Sequence, residues 1–283
     1  MKKLILIFLL IGLNANSQSL RLLRRLSQEQ SVKSITLSTT STSSTWSPLS
    51  VANSGSTLTW DVTGGFVGSQ TADDPTFNLS TNTGTADMNI YDVVGVTLLD
   101  VNTLLLTSLD VAENTSLLTL RCYTNSLITL DVSKNIALKD LICYSNSLTS
   151  LDVSNNTNLE LLQCGSNSLT SLDVSNNTLL TNLSISNNSI TTINVSNNTN
   201  LDFLNCNTTS ITTLDVSNNT VLNALLCYGN SFSSTVTNQI LADLVANGHT
   251  NGTLHYRNNE TGQGVTDRAT LITRGWAITN YGS

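Results

Sequence analysis

The sequence predicts a repeat solenoid, mainly β, with a β-rich N-terminal cap and a small α/β C-terminal cap. Three observations carry this expectation. A triplet returns at a fixed interval: Leu109-Asp110-Val111, Leu130-Asp131-Val132, Leu151-Asp152-Val153, Leu172-Asp173-Val174, Ile193-Asn194-Val195 and Leu214-Asp215-Val216 are each 21 residues apart. Laying the units over one another gives two invariant columns, Leu117, Leu138, Leu159, Leu180, Leu201, Leu222 and Leu120, Leu141, Leu162, Leu183, Leu204, Leu225. The period then stops after Phe232, where helical spacing takes over. Self-similarity of this kind marks units that cannot bury their apolar side chains alone and do so by stacking, with distinct caps at the two ends.

Residues 1–17 have the layout of a secretory signal peptide. Lys2 and Lys3 precede ten apolar or glycine residues from Leu4 to Leu13, and small residues Ala15 and Ser17 follow. A membrane anchor would need about 18 apolar residues or more, so the sequence predicts export without a transmembrane anchor. The first cysteine is Cys122, which leaves no thiol near the leader for a lipid. Residues 18–50, with Arg21, Arg24 and Arg25 and then a Ser/Thr-rich run, read as a linker or weakly ordered arm. Residues 51–84 alternate between apolar and polar with Gly, Asn and Asp at the turns, the signature of a β-rich N-terminal cap. Residues 85–105 form a degenerate capping repeat: Met88-Asn89-Ile90, Val96, Leu99 and Val101 keep the columns, while Leu104 stands where the repeats carry Asn.

Residues 106–231 hold six units. A third column reads Cys122, Cys143, Cys164, Ile185, Cys206, Cys227, and a fourth reads Asn125, Asn146, Asn167, Asn188, Thr209, Asn230. One unit therefore reads Leu159-x-x-Leu162-x-Cys164-x-x-Asn167-x-Leu169. This resembles the leucine-rich repeat, L-x-x-L-x-L-x-x-N/C-x-L. The resemblance implies that residues 162–164 and their equivalents are strands of a parallel sheet in a coiled solenoid. An asparagine at the turn suits an inward amide that bonds backbone groups of adjacent coils, because a buried polar group left unpaired costs about 1–3 kcal/mol. The second half of the unit, Leu169-x-x-Leu172-x-Val174-x-x-Asn177, also looks strand-forming, with β-branched Val in every unit. The expectation is a flat coil with two parallel sheets, where many relatives of this class carry a helix.

Residues 232–283 read as the α/β C-terminal cap. Ile240, Leu241, Leu244 and Val245 lie at helical spacing before Asn247-Gly248; residues 252–259 read as a strand, a second helix closes at Gly275, and a last strand follows. A repeat run with such an ending is similar to secreted bacterial leucine-rich-repeat proteins of the internalin-like surface class.

The chain is acidic, with 12 Lys+Arg against 19 Asp+Glu and a net charge of −7, which disfavours nucleic acid as a partner. Its five cysteines share one inward column, where parallel in-register side chains give poor disulfide torsions, so buried thiols are expected. His249 and His255 are the only histidines, and no H-E-x-x-H, G-x-S-x-G or phosphate-loop motif occurs. No enzyme and no cofactor are expected.

Three outward rows are candidates for function. Asp110, Asp131, Asp152, Asp173 and Asp215 stand in one column about 4.8 Å apart. Such a column either bridges Ca²⁺ or bonds its neighbouring serines and backbone. Thr107, Thr149, Thr170, Thr191 and Thr212 form a regular row that raises an ice-binding reading, against which stands the adjacent Asp. The outer positions of the first sheet vary while the inward columns and the Leu-Asp-Val-Ser-Asn-Asn side barely do, and they include Arg121, Tyr123, Ile142, Tyr144, Gln163, Phe203, Leu226 and Tyr228. Exposed Tyr, Phe and Arg are residue types that anchor interfaces. The expectation is an exported, non-enzymatic binding protein, secreted or at the cell surface, that recognises a protein or glycan for adhesion or surface interaction. The alternative is a passive structural or surface-layer solenoid.

Overall fold

The computed structural model describes residues 96–248, 250–257 and 259–280, together with the backbone of five strands upstream. The leader, Arg21, Arg24, Arg25 and His249 lie outside the described residues. The upstream strands are β1 (Ser34–Thr39), β2 (Ser50–Ala52), β3 (Thr59–Val62), β4 (Ser69–Thr71) and β5 (Ala86–Tyr91). Strands β6 (Leu98–Asp100) and β7 (Leu106–Asp110) follow. Each of the six repeats then gives one short strand: β8 (Thr119–Arg121), β9 (Asp140–Ile142), β10 (Leu161–Gln163), β11 (Asn182–Ser184), β12 (Phe203–Asn205) and β13 (Ala224–Leu226). The end consists of α1 (Ser234–Asn247), β14 (Thr253–Tyr256), α2 (Gln263–Thr273) and β15 (Ala277–Asn280).

Strands β6 and β8 to β15 form one parallel sheet of nine, extended at the front by antiparallel β2. This is a mainly-β leucine-rich-repeat solenoid. Its register repeats without slippage, pairing Leu120 with Leu141, Leu141 with Leu162, Leu162 with Leu183, Leu183 with Leu204 and Leu204 with Leu225. These leucines, together with the columns of Leu159, Cys164, Leu169 and Val174, are fully buried in one continuous core. A one-residue slip would turn each strand's leucine outward, so the shared core enforces the register.

Two asparagine ladders run beside the core. In the column the sequence marks, Asn146 Oδ1 accepts from the Leu127 N–H at 3.0 Å while Nδ2 donates to the Cys122 and Cys143 carbonyls at 3.0 and 3.1 Å. A second column, Asn135, Asn156, Asn177, Asn198 and Asn219, has no exposure at all. Asn156 Nδ2 donates to the Val132 and Asn135 carbonyls at 3.0 and 2.9 Å. Its oxygen has no partner among the described residues.

The second half of the repeat differs from the sequence expectation. From Leu169 to Val174 the chain runs without a strand ladder, and single backbone bonds such as Ser168 N–H to the Leu148 carbonyl at 2.8 Å link successive coils there. At both ends of this stretch asparagine side chains of the next coil stand in for backbone partners: the Leu169 N–H donates to Asn188 Oδ1 at 2.9 Å and the Val174 carbonyl accepts from Asn198 Nδ2 at 3.0 Å. The Ser175 N–H bonds to Asp173 Oδ1 at 2.8 Å, and turns immediately downstream take the Asn177 and Leu180 N–H groups back to the Val174 and Asn177 carbonyls. Those amides are satisfied inside their own coil and are not offered to the next one.

The front of the molecule is an antiparallel sheet in the order β4-β3-β5-β1-β7. Strand β1 lies within residues 18–50, the stretch whose composition suggests an arm, and stands between β5 and β7, with Leu37 opposite both Met88 and Leu109. Met88 and Leu109 occupy the same sequence column, yet an upstream strand separates them. At the back, α1 is capped by the Ser233 hydroxyl, which accepts from the Val236 N–H at 3.3 Å, and ends at Gly248 in the left-handed region at φ 79°. Among the described residues no helix is long and apolar enough to cross a membrane.

Candidate functional site

The parallel register sorts the outward side chains of the sheet into rows. Arg121, Ile142, Gln163, Ser184, Asn205 and Leu226 form one row. Thr119, Asp140, Leu161, Asn182, Phe203 and Ala224 form a second. Tyr123, Tyr144, Gly165, Ser186, Asn207 and Tyr228 follow two residues beyond the first row. Of the residues expected to bind, Arg121, Ile142, Gln163 and Leu226 therefore share a row, whereas Phe203 lies in another.

The aromatic residues fall into two groups. At the front, Tyr123 and Tyr144 stack with ring centroids 4.6 Å apart and planes inclined by 13°. In-register coils impose that spacing, because it matches the separation of neighbouring strands. Burial against this neighbour pushes the Tyr144 phenol above its ordinary range, with Tyr123 adding to the shift. Phe203 and Tyr228 stand three and four strands beyond Tyr144, on the order of 14 and 19 Å along the sheet. Between the groups the face carries Leu161, Gln163 and Gly165 on one coil and Asn182, Ser184 and Ser186 on the next, with no aromatic side chain. A methyl group at Gly165 would come within 2.9 Å of Ser186 Oγ, so the serine occupies the space a larger side chain would need.

Polar contacts hold several of these residues. Arg121 Nη1 lies 3.5 Å from Asp100 Oδ2, Thr119 Oγ1 donates to Asp140 Oδ2 at 3.1 Å, and the Tyr228 N–H donates to Asn207 Oδ1 at 2.9 Å. The face also continues into the cap, which residue spacing conceals. Strand β14 pairs in parallel with β13 and places His255 beside Leu226, although 29 residues separate them and the period is broken. The sequence signal is the polar–apolar alternation Thr253-Leu254-His255-Tyr256, and in the structure Leu254 is buried and His255 half-buried.

The acidic column lies on the other flank. Asp131, Asp152 and Asp215 each hold their carboxyl below the ordinary range through the side-chain hydroxyl and then the backbone N–H of Ser133, Ser154 and Ser217. At Asp173 the Ser175 N–H is the larger cause and its hydroxyl the second. Asp110 Oδ1 accepts from the Ala112 N–H at 3.0 Å, and Asn194 plays the same part with Ser196 at 3.0 Å. An amide thus fills the column's hydrogen-bonding role without charge. Among the described residues no group of three or more His, Cys, Asp or Glu is arranged to hold a metal ion.

The five cysteines are free and buried. Burial pushes the thiols of Cys122, Cys164 and Cys206 up to about 12, and those of Cys143 and Cys227 well above the usual value. Thiols in this state are small core hydrophobes and poor nucleophiles.

No family model and no curated protein matches the chain. Among solved structures it is similar to an internalin (inlF) from Listeria monocytogenes, with 28% identity over 59% of this chain and 49% of that one and a TM-score of 0.52. It is also similar to the functional domain of InlJ from the same organism, which includes a cysteine ladder, at 27% identity over 67% and 55% of the two chains with a TM-score of 0.48. A Leptospira interrogans leucine-rich-repeat protein matches at 20% identity over 61% and 51%, with a TM-score of 0.48. The chain spans about half the length of these structures.

Proposed function

We propose that this chain is an exported, non-enzymatic binding protein that recognises a protein or glycan through the outward face of its parallel sheet, at a cell surface or in the extracellular medium. One observation carries the reading: within a single chain, the buried columns and the Leu-Asp-Val flank hardly change from coil to coil, while the outward sheet positions change at nearly every coil, the Tyr123–Tyr144 pair being the repeat among them. A rigid scaffold with one varied surface is the arrangement recognition requires, and the stacked Tyr123–Tyr144 pair gives that surface a preorganised aromatic anchor. The likeness to an internalin supports a role in interaction, and the leader-like residues 1–17 support export.

The test replaces Tyr123, Tyr144 and Phe203 together by Ala and compares binding to arrayed extracellular proteins and glycans with that of the parent. Loss of binding with unchanged melting is the expected outcome. If the parent binds nothing on either array, or the variant binds as the parent does, the solenoid is a passive structural or surface-layer element.

A further inference from the structure

We propose that the sheet face takes a neutral glycan, one sugar ring of which lies flat against Tyr144 above Gly165; this rests on the binding role proposed above and names the ligand of that same face. The tyrosine stack stops at a glycine. Tyr123 covers one face of the Tyr144 ring, with the centroids 4.6 Å apart. On the other side the register brings Gly165: Ile142 pairs with Gln163, and the Ser145 N–H donates to the Gly165 carbonyl at 3.0 Å. Glycine has no side chain with which to continue the stack.

The next rung is Ser186, on the strand paired with that of Gly165. Its Oγ lies 2.9 Å from where a Cβ at Gly165 would stand, so this short side chain closes the base of the slot and leaves its outer part to a ligand. Tyr144 and Ser186 are two strand spacings apart, about 9.6 Å. A flat ring held midway lies about 4.8 Å from each, which is an aromatic stacking distance.

The surroundings favour a sugar over an aromatic side chain of a protein partner. Around the slot stand Gln163, Ser184, Asn205 and Asn207, which are amides and a hydroxyl. Against an apolar side chain these groups would give up water and gain no partner, which opposes binding. A sugar hydroxyl both donates and accepts, as do these side chains, so its rim can be paired throughout. The ring's C–H faces suit the negative face of the tyrosine ring.

Charge narrows the class of glycan. The three outward rows carry no charged residue on the coils of Gly165, Ser186 and Asn207. Arg121, the cation of the first row, stands two strands before Gly165 and beside Asp100, 3.5 Å away. A sialylated or sulphated ring in the slot would meet no counter-charge, whereas a neutral one needs none.

The test presents the full chain with glucose-, galactose- and mannose-based oligosaccharides and with sialylated and sulphated ones, read by saturation-transfer NMR and titration. A neutral oligosaccharide is expected to bind, with saturation concentrated on the C–H protons of one ring face. Ser186→Tyr places a ring in the slot, and the column already holds tyrosine at Tyr123, Tyr144 and Tyr228. This change should weaken binding by about tenfold or more while melting stays as in the parent, and Gln163→Ala should weaken it as well. Preference for the acidic oligosaccharides, or neutral binding indifferent to both Ser186→Tyr and Gln163→Ala, overturns the proposal. A chain that binds arrayed proteins through Tyr123, Tyr144 and Phe203 but none of these oligosaccharides overturns the glycan and leaves the recognition role standing. A chain that binds neither class removes both.

Discussion

One residue in every coil adopts a backbone conformation that its side chain disfavours. Thr103, Thr124, Ser145, Ser166, Asn187 and Thr208 have φ between 51° and 57°, and the last member of the column is Gly229 at 70°. The left-handed region costs ordinary L-residues roughly 1–2 kcal/mol, and asparagine tolerates it best after glycine. In five of these seven coils a ladder asparagine stands one position later and braces the turn, as Asn125 does by donating to the Cys122 and Val101 carbonyls at 3.0 and 2.9 Å; Leu104 and Thr209 follow the other two. Thr124→Asn is therefore expected to raise stability by about 0.5–1 kcal/mol in denaturant unfolding, and Asn187→Thr to lower it similarly. The buried thiols give a second expectation at this scale. The native chain should resist thiol reagents and release five reactive groups once unfolded, and labelling of the native chain would contradict a sealed core. Sequence columns made the thiols legible, since position alone placed them inward. The strained turn was not legible, because threonine and serine carry no mark of positive φ and only Gly229 hinted at it.

At the scale of the coil, the two asparagine ladders are unequal. Asn146 serves an N–H as well as carbonyls, so Asn146→Ala leaves the Leu127 amide buried without an acceptor. Asn156 supplies second partners to carbonyls that already accept from the Asn135 and Leu138 N–H groups. Removing the first should cost about 3 kcal/mol and the second about 2 kcal/mol, with the order of the two the decisive reading in urea unfolding. The first ladder was readable as a turn-holder from its motif. The second column was visible in the half-repeat, but its burial depends on the turn after Val174, which the Asp173–Ser175 bond sets. On the flank expected to be a second sheet, alternating apolar residues indicate which side faces inward but not how the backbone pairs, and asparagine side chains of the next coil take the Leu169 N–H and the Val174 carbonyl. Strand β1 was missed for a different reason, since a single non-repeating strand inserted between two coils leaves no periodic trace.

For the whole molecule, the division of labour between constant and varied surfaces is the central claim. The sheet face was legible in the sequence because variation stands out against an invariant period, and the rows follow from the 21-residue register. Its extension to His255 and the gap between the two aromatic groups needed the fold, because the cap joins the sheet at a broken period. The most direct measurement compares two sets of surface changes in the full chain, using whichever arrayed protein or glycan the parent retains. One set carries Arg121→Ser, Tyr123→Ser, Ile142→Ser and Tyr144→Ser on the sheet face; the other carries Thr149→Ser, Thr170→Ser, Asp152→Asn and Asp173→Asn on the flank. Binding abolished by the first set and kept by the second, with both variants melting as the parent does, is the predicted result. Binding that survives the face changes and disappears with the flank changes would contradict the account.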